Sequence, residues 1–134
     1  MTQGAITRGI HHIGLTVGRL EASAAFFTGV LGWQEVRRDP GYPAIFVTDG
    51  TLMVTLWGAN PDANSFDFHH NVGLHHVAFT VPSREALEDV YVRLHEAKDV
   101  CIEFAPELLR GGPAMHMMCF EPSGIRVEFI WAGT

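Results

Sequence analysis

Gly9-Ile10-His11-His12-Ile13-Gly14-Leu15-Thr16-Val17 returns 64 positions later as Gly73-Leu74-His75-His76-Val77-Ala78-Phe79-Thr80-Val81. Five of the nine positions are identical, and the other four exchange one apolar or small residue for another. A repeat of this period marks one supersecondary unit used twice. The elements around the two copies follow one order. Residues 10–17 read as a strand. Arg19 to Leu31 reads as a helix, with Leu20, Ala24, Phe27 and Leu31 on one face and Gly32 as its stop. Strand-like runs follow at 33–38, 44–48 and 51–57, the last two joined by an Asp49-Gly50 turn. Ala59-Asn60-Pro61-Asp62-Ala63-Asn64-Ser65 is a linker. The second copy brings a strand at 74–81 and a helix near 83–98. Ser83 is its N-cap, and Leu87, Val90, Tyr91, Leu94 and Ala97 form its apolar stripe. Strand-like runs at 100–104, 114–120 and 125–131 complete it. The chain therefore reads as one α+β domain over residues 1–134, built of two βαββ(β) modules at about 7–58 and 72–132.

Strand alternation divides each histidine pair, because successive side chains point to opposite faces. His11, Ile13, Leu15 and Val17 share one face, and His12, Gly14 and Thr16 the other. In the second copy His75, Val77, Phe79 and Val81 oppose His76, Ala78 and Thr80. The apolar faces belong under the helices. The small, polar faces belong to a cavity, so His12 and His76 are the candidates for chemistry, and His11 and His75 are half-buried at strand ends. In the last strand Val127, Phe129 and Trp131 form the apolar face, while Arg126, Glu128 and Ile130 share the other. A glutamate inside an apolar strand is expensive to bury alone. An ion pair or an exposed strand edge would relieve that cost. So would a divalent metal held by His12, His76 and Glu128, a two-histidine, one-carboxylate set that leaves positions open for water or substrate.

Charge and composition exclude several classes. The formal net charge of −6 argues against nucleic acid and anionic membranes as partners. No apolar run approaches a membrane span. Met1-Thr2-Gln3-Gly4 shows no basic region leading into an apolar stretch, so no secretion signal is expected. Cys101 and Cys119 have no metal-type spacing and read as reduced thiols of a cytoplasmic protein.

Four segments resemble the vicinal oxygen chelate superfamily. They are Ile10-His11-His12-Ile13-Gly14-Leu15-Thr16-Val17, Phe26-Phe27-Thr28-Gly29-Val30-Leu31-Gly32-Trp33, Leu74-His75-His76-Val77-Ala78-Phe79 and Glu121-Pro122-Ser123-Gly124-Ile125-Arg126-Val127-Glu128. The superfamily includes glyoxalase I, methylmalonyl-CoA epimerase, extradiol dioxygenases, and fosfomycin- and bleomycin-resistance proteins. The resemblance implies paired βαββ(β) modules forming an open, barrel-like mixed sheet around a central metal cavity. It also implies ligand roles for His12, His76 and Glu128. Glyoxalase I has a fourth ligand, usually glutamate, at the end of its first module. Here Thr51-Leu52-Met53-Val54-Thr55-Leu56-Trp57 occupies that strand. Either Val54 or Thr55 matches Glu128, depending on a one-residue slip that reverses the face. Neither is a carboxylate. Extradiol dioxygenases use the same three ligands together with a nearby histidine and tyrosine. Tyrosine is absent from strand 114–120, and His116 is the candidate acid or base there.

Three readings follow. The first is a metal-dependent enzyme whose small substrate chelates Fe2+ or Mn2+ through adjacent oxygens, with dioxygenase-type chemistry slightly ahead. The second is a glyoxalase- or epimerase-like lyase or isomerase, with Ni2+, Co2+ or Zn2+ as the alternative metals. The third is a non-catalytic drug-binding resistance protein, against which the intact ligand set counts. Thr55, Trp57 and Tyr42, with Met53 and Phe46, offer a substrate wall; core packing is their other assignment. His69 and His70 read as a solvated loop pair. The open edge strands of a duplicated sheet point to a homodimer with two equivalent sites.

Overall fold

Each half builds its sheet from strands that alternate apolar and polar residues, and each covers the apolar face with one helix. The computed structural model describes residues 4–134; the leader expectation falls largely on Met1-Thr2-Gln3, outside the described residues. The first half contains β1 (His12–Val17), α1 (Leu20–Ala25) continued by a π-helical turn (Phe26–Val30), β2 (Gln34–Asp39), β3 (Ala44–Thr48) and β4 (Met53–Gly58). The second contains β5 (Val77–Thr80), α2 (Arg84–Glu96), β6 (Cys101–Leu108), β7 (Met115–Phe120) and β8 (Arg126–Trp131).

The two sheets are topological copies, in the orders β1-β4-β3-β2 and β5-β8-β7-β6. In each, the first strand runs parallel to the last, and the remaining pairs are antiparallel. The architecture is α+β with two mixed four-stranded sheets that are not closed into a barrel.

Local chemistry sets the elements. Ser83 Oγ accepts the Ala86 amide at 3.0 Å, capping α2, while Arg93 and His95 face the carbonyl end of its dipole. The turn before β4 is tied by Asp49, whose carboxylate accepts the amides of Thr51 and Leu52 at 2.8 Å each. Gly50 takes a φ of 99° there, which a side chain would oppose. The expected first helix is present, but it widens: Leu31 N–H donates to the Phe26 carbonyl five residues back. That widening accompanies the burial of two consecutive phenylalanines, Phe26 and Phe27.

One core spans both halves. Leu15, Val17, Phe27, Val54 and Leu56 pool with Val77, Phe79, Leu87, Val127 and Phe129. The Phe27 and Trp33 rings pack edgewise on Phe79, with centroids 6.0 and 5.2 Å away. A polar seam runs beside this contact. Glu121 is buried and accepts from Ser23 Oγ of α1 and from the amides of Ser123 and Ile125 at 2.7 and 3.0 Å. The seam continues at the surface through Arg19 and Asp99 at 3.1 Å. The polar faces of the sheets therefore lie on their far sides from this core. Among the described residues, no helix is long and apolar enough to cross a membrane.

Candidate functional site

The alternation rule places the candidate side chains as expected on β8 and its neighbours. Val127 and Phe129 enter the core, and Glu128 takes the opposite face. Ala78 of β5 and Met118 of β7 flank Glu128 in register, so side chains two residues away along those strands converge on it. His76 Nε2 lies 3.2 Å from Glu128 Oε1, and His116 Nδ1 lies 2.6 Å from Glu128 Oε2. The carboxylate is only 11% exposed. Both its oxygens thus lie near imidazole nitrogens, and the His116 hydrogen bond offsets part of the cost of burying it. Behind His116, Phe104 packs at 4.9 Å between ring centroids, and Glu107 Oε1 stands 3.8 Å from Nε2.

The first sheet carries the equivalent positions. Ile13 pairs with Val54 and Gly14 with Thr55, as Val77 pairs with Val127 and Ala78 with Glu128. Thr55 is therefore the counterpart of Glu128, and Val54 is fully buried in the core. The Thr55 hydroxyl is already engaged. It accepts from Trp57 Nε1 at 2.8 Å and donates to the Ile13 carbonyl at 3.4 Å. Gly14 leaves room for this pair: a Cβ there would meet Thr55 Oγ1 at 3.2 Å and Trp57 Nε1 at 3.4 Å. Tyr42 and Phe46 flank the indole, with centroids 4.6 and 5.5 Å away. The place matching a fourth carboxylate is thus occupied by a threonine hydrogen-bonded beneath an aromatic wall.

His12 begins β1, on the first sheet. Its imidazole is exposed and meets His11, Nδ1 to Nδ1, at 2.9 Å. His76 and Glu128 come together in one copy of the chain, but His12 does not join them. Among the described residues no group of three His, Cys, Asp or Glu side chains is gathered to hold a metal. The groups that meet around Glu128, imidazole nitrogens and a carboxylate oxygen, are of the kind that suits a divalent ion.

Sequence reasoning undervalued several neighbours. His11 and His75 are exposed, not half-buried. The chain bends at His75, and its ring turns out of the core face to lie beside His76, with Nδ1 atoms 2.8 Å apart. Arg126, which alternation had already put on the Glu128 face, is almost buried. It forms a two-pronged pair with Glu103 at 2.8 Å on each arm and covers the Phe68 ring at 4.4 Å. That pairing holds the Glu103 carboxyl below the usual carboxylate range. Glu103 and Glu107 share β6, which runs past the expected 104 to Leu108 through two irregularities. A bulged strand has no clean alternation, so neither residue carried a facing signal. His69 and His70 are exposed in the turn before β5, as expected of a solvated loop pair, His70 against Asp67 at 2.6 Å.

A family model described as Glyoxalase/Bleomycin resistance protein/Dioxygenase superfamily matches residues 9–129. The chain belongs to this superfamily. Its repeat, its two sheets and the placement of Glu128 and Thr55 at matched positions are the superfamily's duplicated module as this chain carries it. Among solved structures, it is similar to a glyoxylase/bleomycin resistance protein/dioxygenase domain from Frankia sp. EAN1pec, with 25% identity, a TM-score of 0.80, and 94% of this chain and 98% of that one covered. The fold is also shared with a lactoylglutathione lyase from Agrobacterium tumefaciens, at 21% identity, TM-score 0.73, and 96% and 97% coverage. A genomically encoded fosfomycin resistance protein from Listeria monocytogenes shares it as well, at 17% identity, TM-score 0.71, and 94% of each chain. No curated protein matches the chain.

Proposed function

We propose that the protein is a metal-dependent cytoplasmic enzyme that acts on a small substrate chelating a divalent ion through adjacent oxygens, with dioxygenase-type chemistry ahead of lyase or isomerase chemistry. The observation that carries this reading is the buried Glu128 carboxylate with His76 Nε2 at 3.2 Å, opposite a first-module position filled by Thr55. Fe2+ or Mn2+ suits such a site. When bound, the ion supplies Lewis acidity and a template for a chelating diol or hydroxy-carbonyl. His76 and Glu128 would hold it, and His116 fixes the second carboxylate oxygen. Trp57 and Tyr42 form a flat apolar wall for the organic part of the substrate. Thr55 has no anionic oxygen and its hydroxyl is committed, so the chain lacks a carboxylate there to move a proton. That is what sets the glyoxalase-like reading second.

His12 stands on the other sheet, so the site is complete when a second copy supplies it. A homodimer related by two-fold symmetry then holds two equivalent sites, each with His12 from one chain and His76 and Glu128 from the other. The test has two parts. The protein should sediment at about twice the 14.8 kDa chain mass. Added Mn2+ should raise its thermal stability, and His76→Ala should abolish that response. Mixing His12→Ala chains with Glu128→Ala chains should then restore one functional site per mixed dimer. A monomer, or an unchanged Mn2+ response in His76→Ala, would end this reading.

A further inference from the structure

We propose that Arg126 and His75 form a positioning pair that sets the tautomer of His76, leaving its Nε2 lone pair bare, beside Glu128, for a metal ion. The inference rests on the reading of His76 as a ligand and adds to it two residues that have no ligand role. A guanidinium has donors only. Arg126 Nη1 lies 3.4 Å from His75 Nδ1, so that nitrogen presents its lone pair. The same His75 Nδ1 lies 2.8 Å from His76 Nδ1. With His75 accepting, the hydrogen of this contact belongs to His76 Nδ1. A neutral imidazole carries one hydrogen, so His76 Nε2 is left with its lone pair.

The consequence at Glu128 is specific. His76 Nε2 and Glu128 Oε1 are 3.2 Å apart, and in this tautomer both are acceptors. Two acceptors facing each other with no hydrogen between them favour a cation. In the other tautomer a hydrogen stands on Nε2 and takes the lone pair that a ligand would need. The two tautomers compete, and the Arg126 contact tips the balance toward the metal-ready one.

The orienting chain is held firmly. Glu103 grips Arg126 with both oxygens at 2.8 Å, and the Phe68 ring lies under the guanidinium at 4.4 Å. Phe68 also meets the His75 ring edgewise, with centroids 5.1 Å apart. The first module provides an internal contrast. His11 and His12 repeat the Nδ1 contact at 2.9 Å, but Met53 stands two residues before Thr55, where Arg126 stands two before Glu128. Among the described residues no guanidinium is hydrogen-bonded to His11, so the device belongs to the second module.

Long-range proton–nitrogen NMR of the full-length, chelator-treated protein reads the tautomer directly, at a pH where imidazoles are neutral. His76 should show a bare Nε2 and a protonated Nδ1. His75→Phe should move it toward the Nε2–H form and weaken Mn2+ binding about 10- to 100-fold, the usual effect of losing an orienting partner. His75→Gln, whose side-chain oxygen accepts, should restore both. His11→Phe should leave the His76 signals unchanged. Arg126→Met should reproduce His75→Phe; if that variant does not fold, the exposed His75 still carries the test. A wild-type His76 protonated at Nε2, or a tautomer indifferent to His75→Phe, would overturn the proposal. A tautomer that responds while Mn2+ affinity ignores His76→Ala would support the positioning and reject the ligand role.

Discussion

At the residue scale, the chain assigns opposite fates to two matched positions. Glu128 is a carboxylate hydrogen-bonded to His116 with His76 beside it, while Thr55 is sealed under Trp57. His116 is the shorter of the two contacts to Glu128, and it holds the oxygen that His76 does not. His116→Ala should therefore lower Mn2+ affinity about 10- to 100-fold without abolishing it, measured by titration calorimetry beside Glu128→Gln, which should abolish it. Equal loss in the two variants would make His116 a ligand in its own right. Gly14 offers a second check. Its absent Cβ leaves space that the Trp57 indole and Thr55 hydroxyl use. Gly14→Val should push the indole off Thr55, and one of the tryptophan indole N–H signals should lose its hydrogen-bonded shift and exchange faster.

At the scale of elements, α1 and α2 do different work. α2 is a capped amphipathic helix over its own sheet, and its cap is a single hydrogen bond. Ser83→Ala should cost about 1 kcal/mol and lower Tm by about 3 °C. α1 joins the two halves, because the turn that follows it delivers Phe27 onto Phe79 and its Ser23 onto Glu121. Phe27 is fully buried, so Phe27→Ala should cost about 3–5 kcal/mol. Calorimetry separates the cases: the cap variant should keep one cooperative transition, and the core variant should unfold far earlier. A loss at Phe27 as small as that at Ser83 would mean the junction between the halves contributes little.

At the scale of the whole molecule, the seam around Glu121 makes the stability of the junction depend on pH. Burial pushes this carboxyl above its usual range, against the opposing pull of the Ser23 hydroxyl and the Ile125 and Ser123 amides. A carboxyl whose folded pKa is raised binds its proton more tightly folded than unfolded. Its contribution is complete below the unfolded pKa, about 4.3, and declines as pH rises through the folded value. Glu121→Gln cannot ionise. Its Tm relative to the wild type should therefore improve as pH is raised from about 4 to 7. A difference that moves the other way would mean the three donors outweigh burial and keep Glu121 ionised in the fold.

The repeated module, the order of elements and the faces of β1, β5 and β8 are legible in the chain alone. Each of these follows from period-two alternation in short strands and from a nine-residue repeat, both of which are local. Three things were decided only by tertiary structure. The choice of Thr55 over Val54 required the β1–β4 register, because a slip of one residue reverses a face and leaves the composition unchanged. The approach of Glu103 to Arg126 and of Glu107 to His116 required the irregular β6, where alternation breaks. The separation of His12 from His76 required knowing how the two halves pack. Matched faces in a repeat fix which side of each sheet a residue occupies. They do not fix which residues of the other half it meets, because that depends on the Phe27–Phe79 contact and the Ser23–Glu121 seam, formed between residues far apart in the chain.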